Sequence, residues 1–217
     1  MTNSDTSGDG KNRQDTQADP PGYINPLEKD PRPDWDRYFM DIARLVSSRS
    51  TCLARQVGAV LVREKRIVST GYNGSPAGLP HCIDLGCLRR GLGVPSGERM
   101  ELCRGSCAEE NAIVQAARLG QSVVDGWMYT TYQPCLKCAR MIINAGLKGV
   151  TFAGEYPSPM TREFLQAAKV ELIQFDIESG RLEQAAKVAT RYLSRDAHRT
   201  LRASGENRVS GDIAADE

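Results

Sequence analysis

The chain of 217 residues is 40% hydrophobic and 25% charged, the mix of a globular protein with one sizeable core plus tails. Its 28 Lys and Arg against 27 Asp and Glu leave a net charge of +1, which argues against a protein held mainly by phosphate backbones. No apolar run reaches the roughly 18 residues a bilayer span needs, and the polar start is no secretory signal, so a cytoplasmic protein without membrane or nucleic-acid partners is expected.

Residues 1–33 are rich in Pro and charge and poor in apolar side chains, so they are expected to form a disordered N-terminal tail. Asp34 is a good N-cap for a first helix, with Trp35, Phe39, Ile42 and Val46 at helical spacing. Val57–Val62 and Arg66–Tyr72 read as two strands of a hairpin, followed by a long Gly/Pro-rich loop over 73–99. Ala108–Leu119 reads as a helix stopped by Gly120, with Ala112, Ile113, Ala116 and Ala117 on one face. Strands at Trp127–Thr131, Lys148–Phe152 and Val170–Phe175 then alternate with helices at Pro134–Asn144 and Thr161–Ala168. A last helix is expected over 181–203, within a C-terminal helix and tail at 181–217; Arg191, Arg195, Arg199 and Arg202 form a stripe on it, most simply a solvated face. The pattern is an α/β sandwich with a five-stranded mixed sheet, in a domain over 34–180.

The seven cysteines all lie between residues 52 and 138. Clustered cysteines in a reducing compartment point to metal before disulfide. Two short runs stand out: Cys107-Ala108-Glu109, and, 24 residues on, Pro134-Cys135-Leu136-Lys137-Cys138. Each opens a predicted helix, where the dipole favours thiolates. Cys107, Cys135 and Cys138 would make a three-ligand zinc site with one open position, as a catalytic zinc needs. Bound water in such a site can have its pKa lowered to about 7. Glu109, two residues past the first ligand, can move a proton without ligating the metal. This combination is the signature of zinc-dependent deaminases that act on amino-pyrimidines and amino-purines. A purely structural zinc completed by Cys103 is the alternative.

The runs Gly71-Tyr-Asn-Gly-Ser-Pro-Ala-Gly-Leu-Pro-His-Cys82, Pro95 through Ile113, and Gln133 through Gly146 resemble the deoxycytidylate (dCMP) deaminases, over about residues 34–175. The resemblance implies a cytidine deaminase-like three-layer α/β/α sandwich, catalytic zinc, and conversion of dCMP to dUMP with release of ammonia. It also implies a homo-oligomer, often a hexamer, with activation by dCTP and inhibition by dTTP left open. Two positions depart from that family's pattern: Cys107 stands where histidine is usual, and Met100 where close relatives often have histidine. Three thiolates leave the zinc unit at a formal charge of −1, so compensation by donors or cations near the sulfurs is expected, with Arg104 and the helix N-termini as candidates. A cytidine or deoxycytidine nucleoside deaminase, a tRNA or single-strand base deaminase, and a non-catalytic zinc-binding module remain as alternatives.

By the same resemblance Asn73 is expected to contact substrate, the alternative being an Asn that holds a turn. The Ala108 N–H suits the pyrimidine O2. Tyr156 is a candidate for the base or the phosphate, and Arg49 a candidate cation for the phosphate. Cys52, Cys82, Cys87 and Cys103 remain, which is the number a closed second zinc takes; His81 and Glu101 are fallback ligands, and four free thiols the competing reading.

Overall fold

The computed structural model describes residues 32–156 and 158–185. Residues 1–31 and 186–217, and with them nearly all of the expected N-terminal tail, most of the expected last helix and the arginine stripe, lie outside the described residues.

The elements in chain order are α1 (Trp35–Ser47), β1 (Gly58–Arg63), β2 (Arg66–Tyr72), α2 (Cys82–Leu85), α3 (Leu88–Gly91), a 3₁₀ turn (Met100–Leu102), α4 (Ala108–Arg118), β3 (Trp127–Tyr132), α5 (Leu136–Asn144), β4 (Gly149–Gly154), α6 (Pro159–Ala167), β5 (Glu171–Phe175) and β6 (Leu182–Gln184). The Asp34 carboxylate accepts the Arg37 N–H at 2.7 Å and caps α1. The buried face of α1 is Phe39, Met40 and Ala43, while Trp35 is half exposed, because the helix rests on the sheet one step round from the aromatic-led stripe. Glu64 and Lys65 both take positive φ, 52° and 60°, as a two-residue hairpin turn between β1 and β2 demands.

The sheet has six strands in the order β2-β1-β3-β4-β5-β6, not five. Strand β1 runs antiparallel to β2 and β3; β3, β4 and β5 are parallel; β6 returns antiparallel to β5. The sixth strand occupies residues expected to begin the last helix. A tight turn explains it: Asp176 Oδ1 accepts the N–H groups of Glu178 and Ser179 at 2.8 and 3.0 Å, and Gly180 takes φ 71°. That turn folds residues 182–184 back onto β5, where ladder bonds replace helical ones. The long loop is likewise less irregular than expected, holding α2, α3 and the 3₁₀ turn.

Helices cover both faces. Ala59 and Leu61 of β1 join Ala112 and Ala116 of α4, Ile142 of α5 and Leu165 of α6 in one buried cluster. The alternate residues Val60 and Val62 pack with Phe39, Met40 and Ala43 of α1 and with Tyr129 and Phe175. The Tyr129 hydroxyl donates to Asp36 at 2.7 Å, pinning α1 to β3. On the other face α4 starts hard against β2. A Cβ on Gly71 would overlap the carbonyl oxygen of Ala108 and the backbone nitrogen of Ala112. Only glycine lets the helix start come this close, and that start carries Cys107 and Glu109.

Because β1 is antiparallel to β2 and β3, its beginning lies at the same edge as the ends of β2, β3 and β4. The segments 51–57, 73–74, 133–135 and 155–156 therefore meet at one end of the sheet, as ligand crevices of α/β sheets do.

Candidate active site

Cys107 is the N-cap residue of α4, and Cys135 that of α5, with Cys138 in the first turn. Helix α5 starts two residues later than expected, after Pro134, so that Cys135 caps it rather than lying within it. The three sulfurs lie within 4.8 Å of one another, and Cys107 and Cys135 are 3.9 Å apart. Two sulfurs each about 2.3 Å from a tetrahedral zinc stand about 3.8 Å apart, so the separation fits the metal. Among the described residues this is the only such cluster of metal-ligating side chains. All seven cysteines are free thiols.

The three sulfurs are not equivalent. Cys135 accepts the Cys107 thiol and the backbone N–H groups of Cys138 and Lys137, which hold its thiol far below the usual range. The bond to Cys135, with burial, raises Cys107, and the bonds to Cys107 and then Cys135, with burial, raise Cys138. The arrangement favours the negative charge at Cys135, and binding a cation would release the protons held by the cluster.

Glu109 is 4% exposed, in the first turn of α4, with one carboxylate oxygen 3.7 Å from the Cys138 sulfur. Burial, and next the Cys135 thiolate, push its carboxyl up to about 7. Its neighbour Glu110 points the other way. One Glu110 oxygen accepts the Cys107 N–H at 3.2 Å and the Lys137 ammonium at 2.6 Å, tying the start of α4 to that of α5.

A cavity opens on this cluster, lined by Cys107, Ala108, Glu109 and Cys135 on one side. Asn73 and Tyr156 also line it. The Asn73 side chain is heavily engaged: its oxygen accepts from Ser50 Oγ at 2.6 Å and from the Val57 N–H at 2.8 Å, and its nitrogen donates to the Arg55 carbonyl at 2.8 Å. It therefore shapes the segment 50–57 whatever else it touches. The Tyr156 hydroxyl reaches the Gly97 carbonyl at 3.4 Å, and its backbone oxygen accepts Gln133 Nε2 at 2.9 Å. Arg162 in turn donates to Gln133 Oε1 at 2.8 Å, so α6 helps to set the Tyr156 segment.

Arg49 is exposed just past the end of α1 and does not line the cavity. Arg55 and Arg89 do. Composition and spacing do not separate these two from the other basic residues; only the fold places them there. Arg104 also lies elsewhere than expected: its guanidinium donates to the Gly86 carbonyl and acts on the Cys82 thiol rather than on the three-sulfur cluster. Cys52, Cys82 and Cys103 line the same cavity, and Cys87 lies within electrostatic reach of Cys82. Burial, followed by Cys103, Cys52 and Cys87, raises the Cys82 thiol. No three of these four sulfurs approach to ligand spacing.

A family profile described as the cytidine and deoxycytidylate deaminase zinc-binding region matches residues 33–154. The chain belongs to this family. Among its relatives, the deoxycytidylate deaminase of Schizosaccharomyces pombe is 40% identical over 147 residues, which are 66% of this chain and 45% of that one. ComE operon protein 2 of Bacillus subtilis is 38% identical over 145 residues, 66% of this chain and 72% of that one. The deoxycytidylate deaminase of Mycobacterium phage D29 is 36% identical over 129 residues and is covered over 98% of its length. The chain thus spans less than half of the yeast relative and nearly all of the phage one. A dCMP deaminase from cyanophage S-TIM5, solved in complex with dCMP and dUMP, superposes with a TM-score of 0.57 at 29% identity, over 66% of this chain and 98% of that one. The deaminase family's α/β fold with a mixed sheet is the one seen here. Among the described residues no helix is long and apolar enough to cross a membrane.

Proposed function

We propose that this deaminase-family protein converts dCMP to dUMP by hydrolysis, releasing ammonia. The observation that carries the reading is Glu109, a buried carboxyl beside a three-cysteine cluster and on the wall of an open cavity. A structural zinc site has no need of such a group. The relatives named for deoxycytidylate deamination and the cyanophage dCMP deaminase supply the substrate.

Cys107, Cys135 and Cys138 would hold one zinc, which would supply a Lewis acid and lower the pKa of water to about 7. The rest of the chemistry belongs to the chain. Glu109, buried beside the sulfurs, takes the proton of the attacking water and delivers it to the departing amine. The new C–O bond forms at the pyrimidine carbon that bears the exocyclic amine, the C–N bond breaks, and ammonia leaves. In this reading the Ala108 N–H, at the positive end of α4, holds the ring carbonyl, and Asn73 and Tyr156, which line the cavity, contact the substrate. Free cysteines throughout accord with a cytoplasmic setting, and assembly as a homo-oligomer is part of the same reading. So is a second zinc on Cys52, Cys82, Cys87 and Cys103. It rests on the reach of Cys52, Cys87 and Cys103 to Cys82 and requires the 82–103 segment to draw in, because no three of these sulfurs stand at ligand spacing.

The test is turnover of dCMP, deoxycytidine and cytidine side by side by the zinc-loaded protein, with ammonia as the readout. Preference for dCMP is expected. Preference for a nucleoside, or zinc-loaded protein inert on all three, would overturn the reading.

A further inference from the structure

Arg162 stands on α6 and does not line the catalytic cavity, yet its guanidinium grips both of the loops that follow β3 and β4. Helix α6 gives it a firm base: Thr161 and Leu165 are fully buried, Leu165 in the cluster that also holds Ile142 of α5. From there Arg162 Nε donates to Gln133 Oε1 at 2.8 Å, and a terminal nitrogen donates to the Glu155 carboxylate at 2.6 Å. Gln133 lies between β3 and α5, just ahead of Pro134 and Cys135, and Glu155 lies between β4 and α6, just ahead of Tyr156. The two bonds are not of equal weight. Glu155 is 55% exposed, and an exposed ion pair contributes little. Gln133 is 2% exposed, so a polar group lost there is costly.

Arg162 also decides which way the Gln133 amide faces. An amide has an acceptor at one end and donors at the other, in nearly the same shape. A guanidinium only donates and a backbone carbonyl only accepts. Oε1 must therefore meet Arg162, and Nε2 must meet the Tyr156 carbonyl, which it reaches at 2.9 Å. A reversed amide would set donor against donor and acceptor against acceptor in a buried place. The same Tyr156 carbonyl accepts the Ser158 N–H at 2.8 Å, so its backbone is held from both sides. The ring of Tyr156 then lines the cavity, and its hydroxyl reaches across to the Gly97 carbonyl at 3.4 Å.

We propose that Arg162 is a positioning residue for the substrate site: by fixing the orientation of the Gln133 amide it holds the Tyr156 backbone, and with it the Tyr156 ring, in place on the cavity wall. The inference rests on the dCMP reading, in which Tyr156 contacts the substrate. Arg162 acts through Gln133 and Tyr156 and not on the substrate itself. Without it the Gln133 amide is free to turn, and the Tyr156 carbonyl loses the donor that anchors the ring from the β3 side.

The experiment uses zinc-loaded full-length protein carrying Arg162→Met, Arg162→Lys, Glu155→Gln or Tyr156→Ala, and the pair Arg162→Met with Tyr156→Ala. It measures kcat and KM for dCMP and calorimetric Kd for dUMP. Arg162→Met is expected to raise KM and the dUMP Kd about tenfold, with a smaller change in kcat. Glu155→Gln should stay within about twofold of the parent protein. Arg162→Lys should recover only part, because one ammonium cannot replace the planar fork; it carries the test if the Met variant does not fold. In the Tyr156→Ala background the same Arg162→Met change should add less than about twofold, since the path ends at that ring. A merely structural arginine would give the same loss in both backgrounds, and that outcome, or an unchanged KM and Kd, would overturn the proposal. A crystal structure of ligand-free Arg162→Met protein reads the relay without any turnover: the Tyr156 ring should leave its place while α6 and Cys135 keep theirs. A ring that stays put refutes the relay, whereas a parent protein inert on dCMP and without affinity for dUMP refutes the deamination reading, so the two failures are seen separately.

Discussion

Glu109→Gln removes a titrating proton from a buried site while keeping the shape of the side chain, and it should change stability in a pH-dependent way. The carboxyl is displaced from about 4.5 to about 7, mainly by burial. A group whose native pKa is raised binds more protons in the folded state, so its contribution is favourable below about pH 4.5 and is lost as pH rises through 7. A displacement of about 2.5 at about 1.36 kcal/mol each gives about 3 kcal/mol. Metal-free wild-type protein should therefore lose about that much stability between pH 4.5 and 8 relative to Glu109→Gln, which has no charge to bury. Urea unfolding in the presence of chelator and reductant, at intervals across this range, measures the difference directly. A wild-type-minus-variant difference that stays flat with pH would refute the claim that burial holds this carboxyl near neutrality. In the zinc-loaded protein the same substitution should cost roughly 10²–10⁴-fold in kcat with zinc still bound. Near-native turnover would remove Glu109 from the proton path.

Cys107→Ala should lose zinc and turnover together, whereas Cys107→His, a common zinc ligand, should keep zinc and part of the activity; zinc content after dialysis separates the two. Gly71→Ala would drive a Cβ into the backbone of Ala108 and Ala112, so it should cost at least about 2 kcal/mol in urea unfolding and weaken zinc retention by displacing the start of α4. Metal analysis of the purified protein should give two zinc ions per chain if Cys52, Cys82, Cys87 and Cys103 close on a second ion. One zinc with four alkylatable thiols on unfolding would exclude it.

Much of this architecture was legible because each element carries its own boundary chemistry. Asp34, Gly120 and Gly146 mark helix ends, and the motif residues sit at helix starts where their spacing has one geometric meaning. What the sequence hid depends on distant contacts. The residues of β6 have a helical pattern, yet the Asp176 to Gly180 turn folds them onto β5. Arg49 adjoins Ser50, a buried partner of Asn73, and so looked closer to the site than it is. Arg55, six residues on, lies in the cavity because the segment before β1 turns there under the Asn73 bonds. Nothing local distinguishes the two arginines, and the long-range hydrogen bonds of one asparagine decide which of them lines the cavity.

The same long-range logic governs the charge of the metal site. A histidine as first ligand would leave zinc with two thiolates neutral, and Cys107 adds one negative charge. Arg104, the cation nearest to Cys107 in sequence, donates to the Gly86 carbonyl and acts on the Cys82 thiol. The compensation comes instead from groups brought together by α4 and α5. Backbone N–H groups of Lys137 and Cys138 point at the Cys135 sulfur. Burial works against the Lys137 ammonium, but its bond to Glu110 and its attraction to Cys107 and Cys138 outweigh that and hold its pKa above the usual lysine range. Glu110 neutralises much of the lysine in return, so the pair acts as an oriented dipole more than as a free cation. Glu109 is buried beside the sulfurs; burial first, and then Cys135, raise its carboxyl. In the metal-free protein the ligand set and the neighbouring carboxyl are therefore coupled, since negative charge on Cys135 favours the protonated form of Glu109.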